Sequence, residues 1–496
     1  MAEWSRQSEE RPGEEFLAAV HARRRDARKE MDFLPDKLPF GSTFAYQEHP
    51  RTRLDFSGKA RFVSSLALGG LSNAWGANIA RTAQKDIEDW PIRAEELDTY
   101  IDRLRCFLPV SGEEDAVDSL FGAPLAGECN YQMSPQGEYV LGTAQEHSAE
   151  LREQGLLLGR AKLAIGKHNA SHPDGCIGCG LCMHGCPYGA IFNSADVVQN
   201  ELSSQSSFSY RDGVIVERFV EHEGSVELGF LDERSGANET ARFDRVYLAL
   251  GAVGSTALVA RSLNWTDHTF QIHDSQKYIF GFFQNRRTRG AIRDRRSELS
   301  QIYIETDRLE SSSRIAHGQL YGYNDLLLDP FRRRLGEGFA SMLPALGGWL
   351  LERFMIGFLY LHSDVSGHMD FDVAPLGEAA GAEPGLGKIR GVSNPASIPV
   401  KNEFFALLRR NKRRIGGAPS RWLVLSNLPG NSQHFGASLP MRNDPEPHCT
   451  DVLGRPHGCQ RVHVVDCSVL PSITGTPPTL TAMANAARIG DLSLRA

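Results

Sequence analysis

Apolar and polar positions change period several times along the chain, and each change marks an element. Residues 214–244, VIVERFVEHEGSVELGFLDERSGANETARFD, alternate apolar and polar side chains and break at Glu223-Gly224 and Ser235-Gly236. Period-two alternation with glycine breaks predicts an antiparallel meander. Val246 to Leu250 is then continuously apolar, the pattern of a buried parallel strand. Gly251 ends that run, and Ala252 to Leu263 has helical composition. Near the C-terminus, Val462 to Val465 predicts another strand, and Thr479 to Ile489 a helix introduced by Pro477-Pro478. The most apolar stretch, Ser341 to Leu361, is interrupted by Pro344, paired glycines and Glu352-Arg353. Those breaks exclude a membrane span and predict a buried or cleft-lining helix. Just beyond it, His362 and His368 fall on alternate positions of a predicted strand and are candidates to line a pocket.

Composition narrows the class without naming a chemistry. The 496 residues are 41% hydrophobic and 23% charged, enough for two or three domains with real cores. A net charge of −7 predicts no nucleic-acid partner. The opening residues MAEWSRQSEERPGEE contain no apolar signal segment, and five of the nine cysteines are scattered. Both features point to reduced thiols and a cytoplasmic location.

The other four cysteines carry the chemistry. Cys176, Cys179, Cys182 and Cys186, followed by Pro187, form a C-x2-C-x2-C-x3-C-P run. This is the spacing of bacterial iron–sulfur ferredoxins. Gly178, Gly180 and Gly185 let the backbone wind tightly enough to aim amides at cluster sulfides. Zinc, with His172 or His184 as an added ligand, is the competing reading. A 4Fe-4S cluster closed by Cys186 is preferred, and a 3Fe-4S cluster on three of the cysteines stays open. A cluster moves single electrons, so a redox partner is expected elsewhere in the chain.

Three further segments look fit to hold that partner. In SSLALGGLSNAWGANIAR, Gly69-Gly70 permit close approach, and Ser72 and Asn73 can hydrogen-bond a ring or phosphate. In LALGAVGSTAL, Gly251 and Gly254 join a strand to a helix N-terminus, a dinucleotide-type turn. In the tail, His434 lies in a glycine-containing loop, and Asp466 and Ser468 close a strand.

The tail resembles the glucose–methanol–choline (GMC) flavoprotein oxidoreductases. Their pattern H-x-x-G-T-x-x-M falls here on His434, Ala437, Ser438 and Met441. G-R-x-x-G falls on Gly454-Arg455 and Gly458, V-x-D-x-S on Val464 to Ser468, and P-T-L-T-x-M on Pro478 to Met483. CMHGCPYGAIFNS is similar to the insert of the bacterial sugar dehydrogenases of this family, which hold an iron–sulfur cluster beside the flavin. The resemblance implies an α/β fold, α+β overall. Its FAD/NAD(P)-binding Rossmann-like domain is assembled from residues 38–90, 200–265 and 430–496. A lid region, 91–199, carries the iron–sulfur motif at 176–187, and an antiparallel-sheet substrate domain spans 266–429. Residues 1–37 form a charged helix and loop.

The implied activity is that of an FAD-dependent alcohol or sugar dehydrogenase. His434 serves as the base, and Gly69, Gly70, Ser72, Asn73, Gly251, Gly254, Asp466, Ser468, Pro478, Thr479 and Leu480 contact FAD. Electrons leave through the cluster to an external acceptor, a protein or a quinone. Three features depart from the family pattern. No G-x-G-x-x-G segment opens the chain, so a separate chain supplying that unit is one expectation. Pro477 stands where the family has His or Asn, and Ala437-Ser438 replace Gly-Thr. The alternative these departures favour is an accessory iron–sulfur relay subunit on a degenerate scaffold of the same family.

Overall fold

The computed structural model describes residues 20, 22–24, 37–128, 131–166, 175–294, 296, 298–324, 348–376 and 385–495. Most of the expected N-terminal helix and loop, His172, and residues 341–347 of the apolar stretch lie outside them.

The largest sheet has six strands in the order Gly417–Ser426, Lys277–Gln284, Phe354–Tyr360, Ala316–Tyr321, Ser300–Thr306, Leu157–Arg160. Every pairing in it is antiparallel. Alternation sorts its side chains onto two faces. Phe280, Phe282, Ile302, Ile304, Leu320, Met355 and Leu359 pack with Val140, Phe404 and Leu408 from the helices Pro135–Glu146 and Ser397–Arg410. Tyr303, Tyr321, Phe358 and Tyr360 face the other way, into the main core.

One expectation fails within this sheet. Phe354–Tyr360, the end of the predicted helix, is a central strand, fully buried, and only Gly348–Leu351 before it is helical. A strand covered on both faces loses its alternation, so its apolar run cannot be told from a helix by period. His362 and His368 do not share a strand either. His362 caps a short turn, Ser363–Val365, and His368 opens the strand His368–Val373.

The second sheet has five strands, in the order Leu54–Gly58, Gly387–Val392, His368–Val373, Thr269–Asp274, Phe435–Gly436. The first pair is parallel and the others are antiparallel. The predicted meander is present as Val214–Glu221, Val226–Asp232 and Ala237–Phe243. The predicted buried strand is Val246–Leu248, and among the described residues it pairs in parallel with Val462–Val464. The helices Gly251–Ser262 and Thr479–Ser493 follow these two strands, as their patterns predict. Among the described residues no helix is long and apolar enough to cross a membrane.

Candidate redox site

The cysteine loop is wound by glycine. Gly178, Gly180 and Gly185 all have positive φ, and Cys182–His184 forms a single 3-10 turn between the last two. Gly185 is required twice over. Its φ is +103°, and a Cβ there would lie 3.0 Å from the Phe40 backbone nitrogen. The four thiols are unpaired as disulfides, and Cys182 is buried. Burial, the neighbouring cysteines and Glu298 push the Cys179 thiol up to about 12 and the Cys182 thiol well above its ordinary range. Thiolates here would repel one another, and the positive charge of an iron–sulfur core would remove that repulsion; among the described residues no three such side chains converge as they would on a single metal ion. Backbone amides already aim at them: Ala190 N donates to Cys186 Sγ at 3.3 Å, and Leu181 N–H donates to Cys179.

The loop's exit is sewn to the Gly69–Asn73 turn. Ser72 Oγ accepts from Ser194 N at 3.1 Å and donates to Gly69 O at 2.5 Å. Asn73 Oδ1 accepts from Asn193 Nδ2 at 2.9 Å, while Asn73 Nδ2 donates to Leu68 O and Gly70 O. Trp75 Nε1 donates to Phe192 O at 2.8 Å. Gly69 has φ +85°, and a Cβ there would meet Asn193 Oδ1 at 2.6 Å. Ser72 and Asn73 therefore hold the turn in shape, and the Gly70 N–H itself donates to Ala67 O at 2.8 Å.

The tail builds a second junction. Asp466 is half-buried just past the strand Val462–Val464 and takes four donors. Ser255 Oγ lies at 2.5 Å, Ser468 N at 2.9 Å, and Ser468 Oγ and the Gly251 N–H complete the set. Burial raises the pKa of the carboxyl, and these donors pull against that rise. The result clamps the strand end to the start of the helix Gly251–Ser262. Gly251 has φ +77° and open space where a Cβ would sit, whereas a Cβ on Gly254 would meet Leu250 Cβ at 2.9 Å. Pro478 caps the helix Thr479–Ser493 without a side-chain hydrogen bond, so the amides of Thr479 and Leu480 start a helix dipole with no side-chain partner.

His434 lies on the loop before the short strand Phe435–Gly436. Ser432 Oγ receives its N–H at 2.9 Å, and its carbonyl accepts from Ser275 N at 2.9 Å. Buried Asp274 grips the same loop through Ser432 Oγ and Gly430 N, the latter at 2.9 Å. Burial raises the Asp274 carboxyl to about 7. Gln433 and Ala437 flank the histidine with φ of +64° and +57°. Left-handed backbone at non-glycine residues is costly and concentrates at functional sites. The imidazole stacks on Tyr360 at 4.6 Å between ring centroids, and its Nδ1 is buried without a partner. Burial, helped by His317 and Lys277, lowers its pKa to about 3. The ring is therefore neutral at physiological pH and has a nitrogen to offer.

The six-stranded sheet supplies residues that the sequence reading missed. Lys277 Nζ sits 4.0 Å from the Phe358 ring centroid and 5.7 Å from that of Tyr360. Behind Tyr360, Glu305 and His317 are register partners on neighbouring strands, both fully buried, with Oε1 and Nδ1 2.6 Å apart. Gln319 joins His317 Nε2 at 2.9 Å, and Tyr321 Oη donates to Gln319 Oε1 at 2.8 Å. Period-two spacing places 317, 319 and 321 on one face, which is the signal that could have found them.

An α/β flavoprotein fold joined to an antiparallel substrate-type sheet is the class these features define. Residues 421–486 match the GMC oxidoreductase family, and residues 171–192 match the 4Fe-4S binding domain. Two solved structures share the fold. Pyridoxine 4-oxidase from Mesorbium loti has 14% identity and a TM-score of 0.57, over 90% of this chain and 88% of that one. An FAD-dependent oxidoreductase from Chaetomium thermophilum has 12% identity and a TM-score of 0.51, over 87% of this chain and 86% of that one. No curated protein sequence matches the chain. The chain carries the C-terminal domain of the GMC oxidoreductases on the fold of those flavoproteins, with a 4Fe-4S-type motif inserted.

The residues fit the flavin end of FAD. His434 Nδ1 is an orphaned buried nitrogen, and the helix beginning at Thr479 has no side-chain cap on its first turn. The pyrophosphate end is thinner. Gly251 opens to space, and the described residues place no second glycine turn beside Val246–Leu248.

Proposed function

We propose that the chain is an FAD-dependent dehydrogenase of alcohols or sugars that delivers electrons through a 4Fe-4S cluster to an external acceptor. The observation that carries this reading is the stitching of the cysteine loop's exit to the Gly69–Asn73 turn through Asn193, Ser194 and Phe192. It fits an arrangement in which two redox groups share one folded body. When bound, FAD takes a hydride from carbon and the cluster carries electrons onward singly. The chain's part is to orient and to move a proton. His434, neutral and stacked on Tyr360, accepts the proton of the substrate hydroxyl. Asp274 and Ser432 hold the loop that aims it. Cys176, Cys179, Cys182 and Cys186 would hold the iron, and amides such as Ala190 N–H would take up part of the cluster's charge. Gly69, Gly70, Gly251, Gly254, Asp466, Ser468, Pro478, Thr479 and Leu480 shape the flavin cradle. Of these, Asp466 and Ser468 act by clamping its strand end.

A second reading, an accessory iron–sulfur relay subunit, is favoured by Pro477, which offers no side-chain donor where the family pattern has His or Asn. Anaerobic purification followed by a visible spectrum, iron and acid-labile sulfide analysis separates the two. Flavin absorption with a cluster signal supports the dehydrogenase, and a cluster that takes up no added FAD supports the relay. In the flavin-loaded protein, His434→Ala should abolish alcohol-dependent bleaching and leave the cluster intact. Undiminished bleaching would reject His434 as the base.

A further inference from the structure

One corner of the six-stranded sheet gathers cations around an exposed indole. The helix Ser397–Arg410 ends in Arg409 and Arg410, and a tight turn carrying Lys412 and Arg413 follows. Asn285 holds that turn, its side chain donating to Lys412 O at 2.7 Å and its N–H to Gly416 O at 2.8 Å. Arg286 comes next, its guanidinium 4.6 Å from the Tyr139 ring centroid. Gly417 pairs with Gln284 and opens the edge strand Gly417–Ser426. Phe282 pairs with Pro419 and Phe280 with Val424, so Gly281 alone faces residues 420–423, which bulge from the edge. Ser420 Oγ holds the bulge, accepting the N–H groups of Trp422 and Leu423 at 3.2 Å each. Leu423 covers Gly281, and Arg421 and Trp422 are exposed. Trp422 is 90% exposed, and among the described residues no large apolar side chain is more so.

Arg286, Arg409, Arg410, Lys412, Arg413 and Arg421 form no ion pair among the described residues, whereas Arg414 in the same run pairs with Glu150. Six unneutralised cations thus share one corner of a chain whose net charge is −7. Protection of a sheet edge against pairing accounts for the bulge and for Arg421. It does not account for an indole at the tip, where any polar residue would serve. A second copy seated on this edge would set Arg421 against the same basic corner of its mate, and like charges oppose that contact. An indole beside lysine and arginine matches the boundary of water and lipid. There tryptophan sits at headgroup level, and basic side chains meet anionic lipid. We propose that this corner docks the protein on an anionic lipid surface, with Trp422 among the headgroups and the six cations on the phosphates around it. Such contact needs no spanning helix. The proposal is independent of the flavin and of the cluster.

The test is co-sedimentation of the full chain with vesicles of phosphatidylglycerol in phosphatidylcholine, against vesicles of phosphatidylcholine alone. At about 0.1 M salt wild type should sediment with the anionic vesicles only, and about 1 M salt should release it. Trp422→Ser should weaken binding about tenfold. Arg410→Gln combined with Arg413→Gln should weaken it about thirtyfold. All three side chains are exposed, and circular dichroism with the urea midpoint checks that each variant folds. If one variant fails to fold, the other decides. Wild type that ignores anionic vesicles overturns the proposal, and so does binding left at full strength by a folded variant. Wild type that ignores the vesicles but is retained on immobilised polyglutamate assigns the corner to an acidic protein, which equally overturns the lipid reading.

Discussion

Glu305 offers a measurement whose sign is set in advance. It is fully buried, its Oε1 meets His317 Nδ1 at 2.6 Å, and its Oε2 has no hydrogen-bond partner. Burial raises its pKa well above the ordinary 4.5 and lowers that of His317 to about 3. The pair is therefore neutral: a protonated carboxyl beside an uncharged imidazole. Above pH 4.5 the unfolded chain releases this proton while the folded chain keeps it, so Glu305 subtracts stability as pH rises. The slope is about 1.36 kcal/mol per pH unit until the folded group ionises. Glu305→Gln keeps the shape and the accepting oxygen but cannot ionise. Between pH 5 and pH 7 it should therefore gain stability relative to wild type as pH rises, by at most about 2.7 kcal/mol. Glu305→Leu strands His317 Nδ1 and should cost about 1–3 kcal/mol. Urea unfolding at pH 5, 6 and 7, followed by circular dichroism, measures all three proteins, and titrations elsewhere cancel in the comparison. A buried ion pair behaves oppositely. If Glu305→Gln loses about 3–5 kcal/mol at pH 7, or its deficit grows with pH, the neutral-pair argument is wrong.

Two backbone predictions test the loops directly. Gly185→Ala forces a side chain onto φ +103° and against the Phe40 nitrogen, so it should cost at least about 2 kcal/mol and sharply reduce iron content, measured by denaturation and iron analysis. Ala437→Gly relieves φ +57° beside His434, where the family pattern itself has glycine. After the extra entropy of an unfolded glycine it should gain up to about 1 kcal/mol, read as a raised urea midpoint.

What could be read from sequence divides along physical lines. The meander, the strand before Gly251 and the C-terminal helix were legible because local period and glycine punctuation decide them. Phe354–Tyr360 was not, because a strand buried on both faces carries no alternation. The cysteine run announced itself by spacing, and the roles of Ser72 and Asn73 did not. Both residues are hydrogen-bonded to the 192–194 segment, about 120 residues away in sequence, so a loop read as ligand-facing is mostly self-facing. Asp274, Tyr360, Glu305 and His317 were invisible for the same reason, since each acts through a partner on another strand. His434 was found through the resemblance of the tail. The structure adds that it is held neutral and flanked by two left-handed residues.

Asn193 stands seven positions after Cys186 and is hydrogen-bonded to Asn73. With so short a tether, whatever tightens the cysteine loop also tightens the Gly69–Asn73 turn. On the proposed function, uptake of the inorganic centre would then prepare the berth for the organic one, and maturation would have a built-in order. Iron-starved chains should be slack at both ends of that tether at once.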